Sequence, residues 1–287
     1  MSGPDGTAAA AGTVSLGDQL QVRRMGFGAM RLTGPGIWQE PRDEAEARRV
    51  LRRAIELGVD FIDTADSYGP EVSERLIGET LRPYPEGLVI ATKGGQVRPG
   101  PNRWEPDGRP EHLREALEGS LQRLGVERVD LYQLHRPDPK VPYEESLGAI
   151  VDMQREGKVH LIGISNVTAT QLRSAQALTQ IASVQNRFNL RDRRSDPVLD
   201  LCEQDGIAFI PWAPLGQADL AERGGVLTEL AAAHRATTGQ VALAWLLARS
   251  PQMLVIPGTS SVAHLEENTA AAGLHLESAE MRRLEAA

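Results

Sequence analysis

Apolar positions along this chain come in two spacings that take turns. Short unbroken apolar runs, of the length of a buried strand, alternate with longer stretches in which apolar residues recur every three or four positions. Near the N-terminus, Thr13-Val14-Ser15-Leu16, then Gly17-Asp18, then Gln19-Leu20-Gln21-Val22 alternates apolar and polar. That pattern predicts a β-hairpin around a two-residue, Gly-first turn. The next predicted strand is Met25-Gly26-Phe27-Gly28-Ala29-Met30, whose glycines lack the third glycine and following helix of a dinucleotide fingerprint. Asp43, with Glu46 three residues on, predicts a helix with the apolar face Val50, Leu51, Ala54, Ile55 and Leu57, stopped by Gly58.

The rhythm then repeats. Strands are expected up to Asp63 and at residues 88–92, 129–134, 159–164, 181–184, 207–210 and 253–256. Helices are expected at about 71–81, along Leu113, Leu117, Leu121 and Leu124, and at 143–156, 168–178, 196–204, 226–235, 240–248, 262–272 and 278–286. Residues 94–109, rich in Pro and Gly, read as a long loop. Strands apolar on both faces and separated by helices build a parallel sheet. About eight of them in 287 residues point to a (β/α)8 TIM barrel, with the N-terminal β-hairpin as an added cap and extra helices near the C-terminus. A doubly wound sheet is the alternative, although no break divides the chain into two halves. Residues 1–12, largely Gly, Ala, Pro and Thr, read as a flexible tail, and residues 13–287 as a single barrel domain.

Composition narrows the function. A net charge of −8 and 4% aromatic residues argue against a nucleic-acid partner, which needs a basic face and stacking platforms. No apolar run approaches the roughly 20 residues needed to span a bilayer, so a soluble, cytoplasmic protein is expected. The single cysteine, Cys202, excludes an intrachain disulfide and sits in an amphipathic helical pattern as an inert core thiol.

In a barrel of this kind, chemistry gathers where the strands end. Asp63, Lys93, His135, Ser165-Asn166, Gln185 and Trp212 each stand at or just past the end of an apolar run, and Tyr68 follows Asp63 within one turn. Singly, each has a plain structural role: a turn cap, a core histidine, a loop lysine. Three chemistries would use such a set. Metal-dependent hydrolysis wants further His or carboxylate ligands, which His135 lacks nearby. A Schiff-base enzyme would use Lys93 as the nucleophile. Carbonyl reduction would use Tyr68 as general acid, with Lys93 lowering its pKa and Asp63 anchoring Lys93. It also needs a hydride donor. Ser165, Asn166 and Gln185 suit a carboxamide, Trp212 suits a flat ring, and Pro257-Gly258-Thr259-Ser260-Ser261 opens a helix whose free N–H groups suit a phosphate.

The motifs then carry a resemblance. Asp63-Thr64-Ala65, Tyr68-Gly69, Ser73-Glu74, Ile77-Gly78, Ile90-Ala91-Thr92-Lys93, Asp130 through His135, Gly163-Ile164-Ser165-Asn166, Pro214-Leu215-Gly216 and Ile256 through Asn268 resemble the aldo-keto reductase family. The resemblance implies NADPH-dependent reduction of an aldehyde or ketone, with Asp63, Tyr68, Lys93 and His135 as the catalytic set. It implies that nicotinamide stacks on Trp212 with its amide held by Ser165, Asn166 and Gln185. Arg31, Leu215 and Gly216 then match positions at the pyrophosphate, and Glu267 and Asn268 positions at adenine. Gly34-Pro35-Gly36, Pro41-Arg42-Asp43 and the segment from Gly258 to Leu265 look most like the bacterial pyridoxal reductase branch, making pyridoxal a candidate substrate. Two positions depart from the family: Gly258 replaces a frequent basic residue, and His264 replaces an Arg that meets the ribose phosphate. A nicotinamide-binding, redox-sensing regulatory subunit with little turnover stays open as the alternative. No metal is expected, and the oligomeric state is left unassigned.

Overall fold

The computed structural model describes residues 7–216 and 225–286. Strands β1 (Thr13–Leu16) and β2 (Leu20–Arg23) pair antiparallel as a hairpin with Leu16 opposite Leu20, so the turn has three residues rather than two. Gly17 takes φ +55, which a side chain at that position would resist. Next come β3 (Phe27–Gly28), helix α1 (Glu44–Glu56), β4 (Phe61–Asp63), α2 (Val72–Leu81) and β5 (Val89–Gly94). The segment expected as a loop then folds into a second hairpin, β6 (Gln96–Gly100) and β7 (Arg103–Pro106). Its Pro and Gly content hid it, because Pro99 and Gly100 are residues that normally end strands.

The chain continues through α3 (Pro110–Leu124), β8 (Val129–Leu134), α4 (Tyr143–Arg155), β9 (Val159–Ser165), α5 (Ala169–Leu178), β10 (Ser183–Arg187), α6 (Asp196–Asp205) and β11 (Ala208–Trp212). It ends with α7 (Val226–His234), α8 (Thr238–Arg249), α9 (Val262–Ala270) and α10 (Ser278–Ala286). Seven strands form one parallel sheet in the order β11-β10-β9-β8-β5-β4-β3. The eighth expected strand, residues 253–256, closes it: Met253 bridges Phe209 on β11, and Val255 bridges Met25 beside β3. The Gly26 N–H donates to the Val255 carbonyl at 2.8 Å, so the two sheet edges meet and the barrel is complete.

Two apolar layers follow from this closure. Phe61, Val89, Ala91, Leu131, Leu161, Ala182, Ala208, Ile210 and Leu254 fill the barrel, with Val14, Leu16 and Val22 of the first hairpin plugging its N-terminal end. The larger layer lies between the strands and the helices. Cys202 belongs to it, and burial with nearby Asp205 and Glu203 pushes its thiol up to about 12, as an inert core thiol requires. The expected loose tail is corrected at its end nearest the barrel. Ala8–Ala11 form a turn of 3-10 helix, Ala8 is fully buried, and its N–H donates to the Leu57 carbonyl at 3.0 Å. Residues 1–6 of that tail lie outside the described residues. No helix among the described residues is long and apolar enough to cross a membrane.

One buried charge cluster sets α2 and α3 on the barrel. Glu74 is fully buried, accepts from Thr92 beside Lys93, and pairs with the Arg123 guanidinium at 2.8 Å. Removing one partner of a buried pair leaves the other charge uncompensated. Arg123→Met is therefore expected to cost about 3–5 kcal/mol. In urea unfolding the midpoint should fall while the slope stays unchanged.

Candidate active site

Asp63 ends β4, Lys93 lies at the end of β5, and His135 follows β8, so neighbouring parallel strands deliver all three to the same rim. The His135 N–H donates to the Gly94 carbonyl at 2.9 Å, fixing how far each strand reaches. Tyr68 stands in the tight turn from β4 into α2, where Gly69 adopts φ +111. Lys93 Nζ donates to Asp63 Oδ2 at 2.6 Å, to the Thr64 carbonyl at 2.9 Å and to the Tyr68 hydroxyl at 3.2 Å. An ammonium has three protons, and this set takes all of them. His135 lies edge-on to the Tyr68 ring, centroids 5.9 Å apart, and its Nδ1 is 3.4 Å from Ser67 Oγ.

Burial dominates the ionisation of these groups, and it does so differently for each. Burial works against the Lys93 charge, but Asp63 and Tyr68 together outweigh it and raise the ammonium above its usual range. With its three protons taken by Asp63, Thr64 and Tyr68, Lys93 is placed as a fixed cation, which gives the Schiff-base reading no support. The Tyr68 phenol moves opposite to the sequence expectation. Lys93 does lower it, but burial is the larger effect, Asp63 adds to it, and the phenol ends above its usual value. That direction suits a phenol that stays protonated and acts as an acid. Burial, then Lys93, Arg136 and Arg98, push the His135 imidazole well below 6.5, so it is neutral at physiological pH.

Beneath these groups lies a polar layer drawn from alternate strands. Asp63 Oδ1 accepts from Gln133 Nε2 on β8 at 3.0 Å and from Gln185 Nε2 on β10 at 2.8 Å. Gln185, expected to hold a carboxamide, uses its amide nitrogen to position Asp63, and its side-chain oxygen accepts no hydrogen bond among the described residues. Ser165 Oγ donates to the Gln185 carbonyl at 2.8 Å. Asn166, at φ +58, donates to the His135 carbonyl and to Ser165 Oγ, each at 3.0 Å, and its oxygen accepts from Trp212 Nε1 at 3.0 Å. A continuous hydrogen-bonded chain therefore runs from Trp212 to Tyr68. Arg187 lies over the Trp212 ring, 5.4 Å from its centroid, so a cation faces the indole.

The remaining expected residues gather around the closure of the barrel. A Cβ on Gly258 would lie 2.7 Å from the Gly28 carbonyl and 3.6 Å from Arg31 Cγ. Only glycine fits there, and Arg31 is brought beside it, exposed at the end of a 3-10 turn. Leu215 and Gly216 border the residues outside the description, with Gly216 at φ +64. Thr259 and Asn268 are buried, Ser260 and His264 exposed, and Ser261 is the N-cap of α9. Glu267 accepts from Thr237 Oγ1 at 2.6 Å, tying α9 to the start of α8. The α9 N-terminus itself is partly taken: the Val262 N–H donates to Glu46 Oε1 at 3.0 Å. Glu46 had been read as part of a cap for its own helix. Instead Asp43 caps α1 alone by accepting from the Glu46 N–H, and the Glu46 carboxylate caps α9.

Four residues escaped the sequence reading. Gln133 and Ser67 support Asp63 and His135; the signal for Gln133 was a polar side chain inside an apolar strand. Arg98 and Trp104 sit on the β6–β7 hairpin, with Trp104 edge-on to Tyr68 at 6.2 Å and to His135 at 6.3 Å. Their only signal was a tryptophan inside a Pro- and Gly-rich stretch. Among the described residues there is no group of three His, Cys, Asp or Glu placed to hold a metal ion.

Similarity to known proteins extends over nearly the whole chain. A model of the Aldo/keto reductase family matches residues 24–287. An uncharacterized oxidoreductase of Schizosaccharomyces pombe is 52% identical over 97% of this chain and 90% of its own. Pyridoxine 4-dehydrogenase of Escherichia coli is 45% identical over 92% of this chain and 94% of its own. The crystal structure of an aldo-keto reductase from Klebsiella pneumoniae in complex with NADPH superposes with a TM-score of 0.79 at 27% identity, over 96% of this chain and 94% of that one.

Because Tyr68 is the protonated group at the rim, Tyr68→Phe is expected to lower kcat for carbonyl reduction by about 10²–10⁴-fold. The Kd for the nicotinamide cofactor, read by fluorescence titration, should stay nearly unchanged. Near-full turnover in this variant would remove Tyr68 from the chemistry.

Proposed function

The chain belongs to the aldo/keto reductase family and is an NADPH-dependent carbonyl reductase, and from that premise we propose that pyridoxal, reduced to the alcohol, is among its substrates. The observation that carries the reductase chemistry is the buried Tyr68–Lys93–Asp63 chain. The 45% identity to a pyridoxine 4-dehydrogenase supports the choice of substrate.

NADPH supplies the hydride when bound. The residues fit it: Trp212 presents a ring face, Asn166 and Ser165 lie beside it, and Arg31, exposed beside Gly258, would meet a diphosphate. Leu215, Gly216, Glu267 and Asn268 would hold the rest of the nucleotide. The Tyr68 hydroxyl would give its proton to the substrate oxygen, completing the alcohol. The phenolate left behind is stabilised by Lys93 at hydrogen-bond distance, and Asp63 keeps Lys93 charged. Neutral His135 donates a hydrogen bond to the same oxygen without competing as an acid. Solvent then returns the proton to Tyr68.

Initial rates of NADPH oxidation with an aldehyde panel that includes pyridoxal test the reading. Turnover of pyridoxal with kcat/KM at least comparable to simple aromatic aldehydes is expected. Tight NADPH binding without turnover of any aldehyde would favour a regulatory subunit instead.

Cofactor choice follows from the α9 end. Thr259, Ser260, Ser261 and His264 would face a ribose 2′-phosphate there, but no Arg stands at position 264 and the Glu46 carboxylate is bound to Val262 N–H. NADPH is therefore expected to be preferred over NADH by a smaller margin than an Arg at that place would give. Both His264→Arg and Glu46→Gln should tighten NADPH and leave NADH unchanged. Dissociation constants that shift equally for both cofactors would show that neither residue faces the phosphate.

A further inference from the structure

Arg98 is a buried cation that the reaction described above does not use. It is 8% exposed, and its guanidinium lies flat on the Trp104 ring, 3.7 Å from the centroid. Its Nε donates to the Arg103 carbonyl at 2.8 Å, and its Nη1 to the Ile37 carbonyl at 2.8 Å and the Ser67 carbonyl at 3.1 Å. Its Nη2 donates to the Gly36 carbonyl at 2.9 Å. These carbonyls belong to three separate loops: the one after the first barrel strand, the one that carries Tyr68, and the β6–β7 hairpin that carries Trp104. Each loop alone has unusual backbone to hold, since Gly36 and Ile37, Gly69, and Asn102 all have positive φ.

Among the described residues no carboxylate pairs with Arg98, whereas most other arginines of this acidic chain do have one. A guanidinium stays charged even when burial works against it. A planar fork with five donors is the side chain suited to gather several carbonyls while stacking on an indole. Both properties are spent beside Tyr68 and His135.

We propose that Arg98 is a positioning residue for the carbonyl reduction: it pins the Trp104 wall and the Tyr68 loop together and places a second fixed positive charge beside the reacting groups. The inference rests on the reductase reading of the same site. The charges facing Tyr68 are Lys93 and Arg98 against Asp63 and Asp66, and those facing His135 are Lys93, Arg98 and Arg136. Arg98 thus helps stabilise the phenolate that forms when Tyr68 gives up its proton. It also helps keep His135 neutral.

The test uses Arg98→Met and Arg98→Lys in the full chain, with kcat measured across pH, NADPH Kd by fluorescence, and melting temperature as a check on folding. In Arg98→Met, kcat is expected to fall by up to about 10²-fold, as for a small misplacement of reacting groups. The basic limb of its pH profile, which reports loss of the Tyr68 proton, should move to higher pH while NADPH Kd stays within about twofold of wild type. Arg98→Lys keeps the charge and loses the fork, so its kcat should stay low while its basic limb returns to the wild-type position. If Arg98→Met does not fold, low kcat with an unmoved limb in Arg98→Lys still supports the proposal. Wild-type kcat in either variant, or an unmoved limb in folded Arg98→Met, overturns it. A wild-type protein that reduces no aldehyde would instead defeat the reductase reading.

Discussion

The ion pair between Lys93 and Asp63 is the interaction on which the site depends. Both side chains are out of solvent, at 0% and 2% exposure, and burying two charges costs several kcal/mol per ion unless every donor and acceptor is matched. Here they are matched. The ammonium's three protons go to Asp63, Thr64 and Tyr68, and the carboxylate accepts from Lys93, Gln133 and Gln185. Completing the pair uses strands β4, β5, β8 and β10, which explains why polar residues interrupt apolar strands at matching depth. Tyr68 is held because it is the last partner of a cation that has nowhere else to turn.

Much of this was legible in the sequence, and the misses have physical causes. Most barrel strands announced themselves as apolar runs, and the polar residues expected at their ends, such as Lys93 and His135, do stand at one rim. Helix bounds were close, as at α5, whose start at Thr168 the structure completes with a capping box, and at Gly125, which ends α3 at φ +66. What sequence patterns do not encode is which partner a side chain will choose across the fold. Glu46 had the spacing to cap its own helix and caps α9 instead. Gln185 stands where a ligand was expected, and its amide nitrogen also supports Asp63, which spacing does not show. The direction of the Tyr68 pKa depended on how deep the ring lies, which spacing along the chain does not reveal. The β6–β7 hairpin was hidden because its Pro and Gly content is that of a loop.

The chain as a whole is acidic, with a net charge of −8, yet Lys93, Arg98, Arg136 and Arg187 cluster at or near the rim. Asp63 and Asp192 offset Lys93 and Arg187 there, so Arg98, with no carboxylate partner among the described residues, is a buried cation that adds to the field at the cleft. Negative charge developing on a carbonyl oxygen is met there, while the acidic exterior serves solubility. Remote surface charges matter little to the reaction, because they are screened over about 10 Å at ordinary salt.

Closure of the barrel has a consequence for how the chain is made. The sheet runs from β3 to β11 with open edges at both ends until residues 253–256 bridge Phe209 and Met25. On the ribosome, the catalytic strands emerge long before that seam exists. Until that segment is made, the strands from β3 to β11 have two sheet edges with no partner, the form most exposed to unwanted strand pairing. Hydride chemistry and a safe fold therefore arrive together, with the segment that also supplies Gly258 and the start of α9.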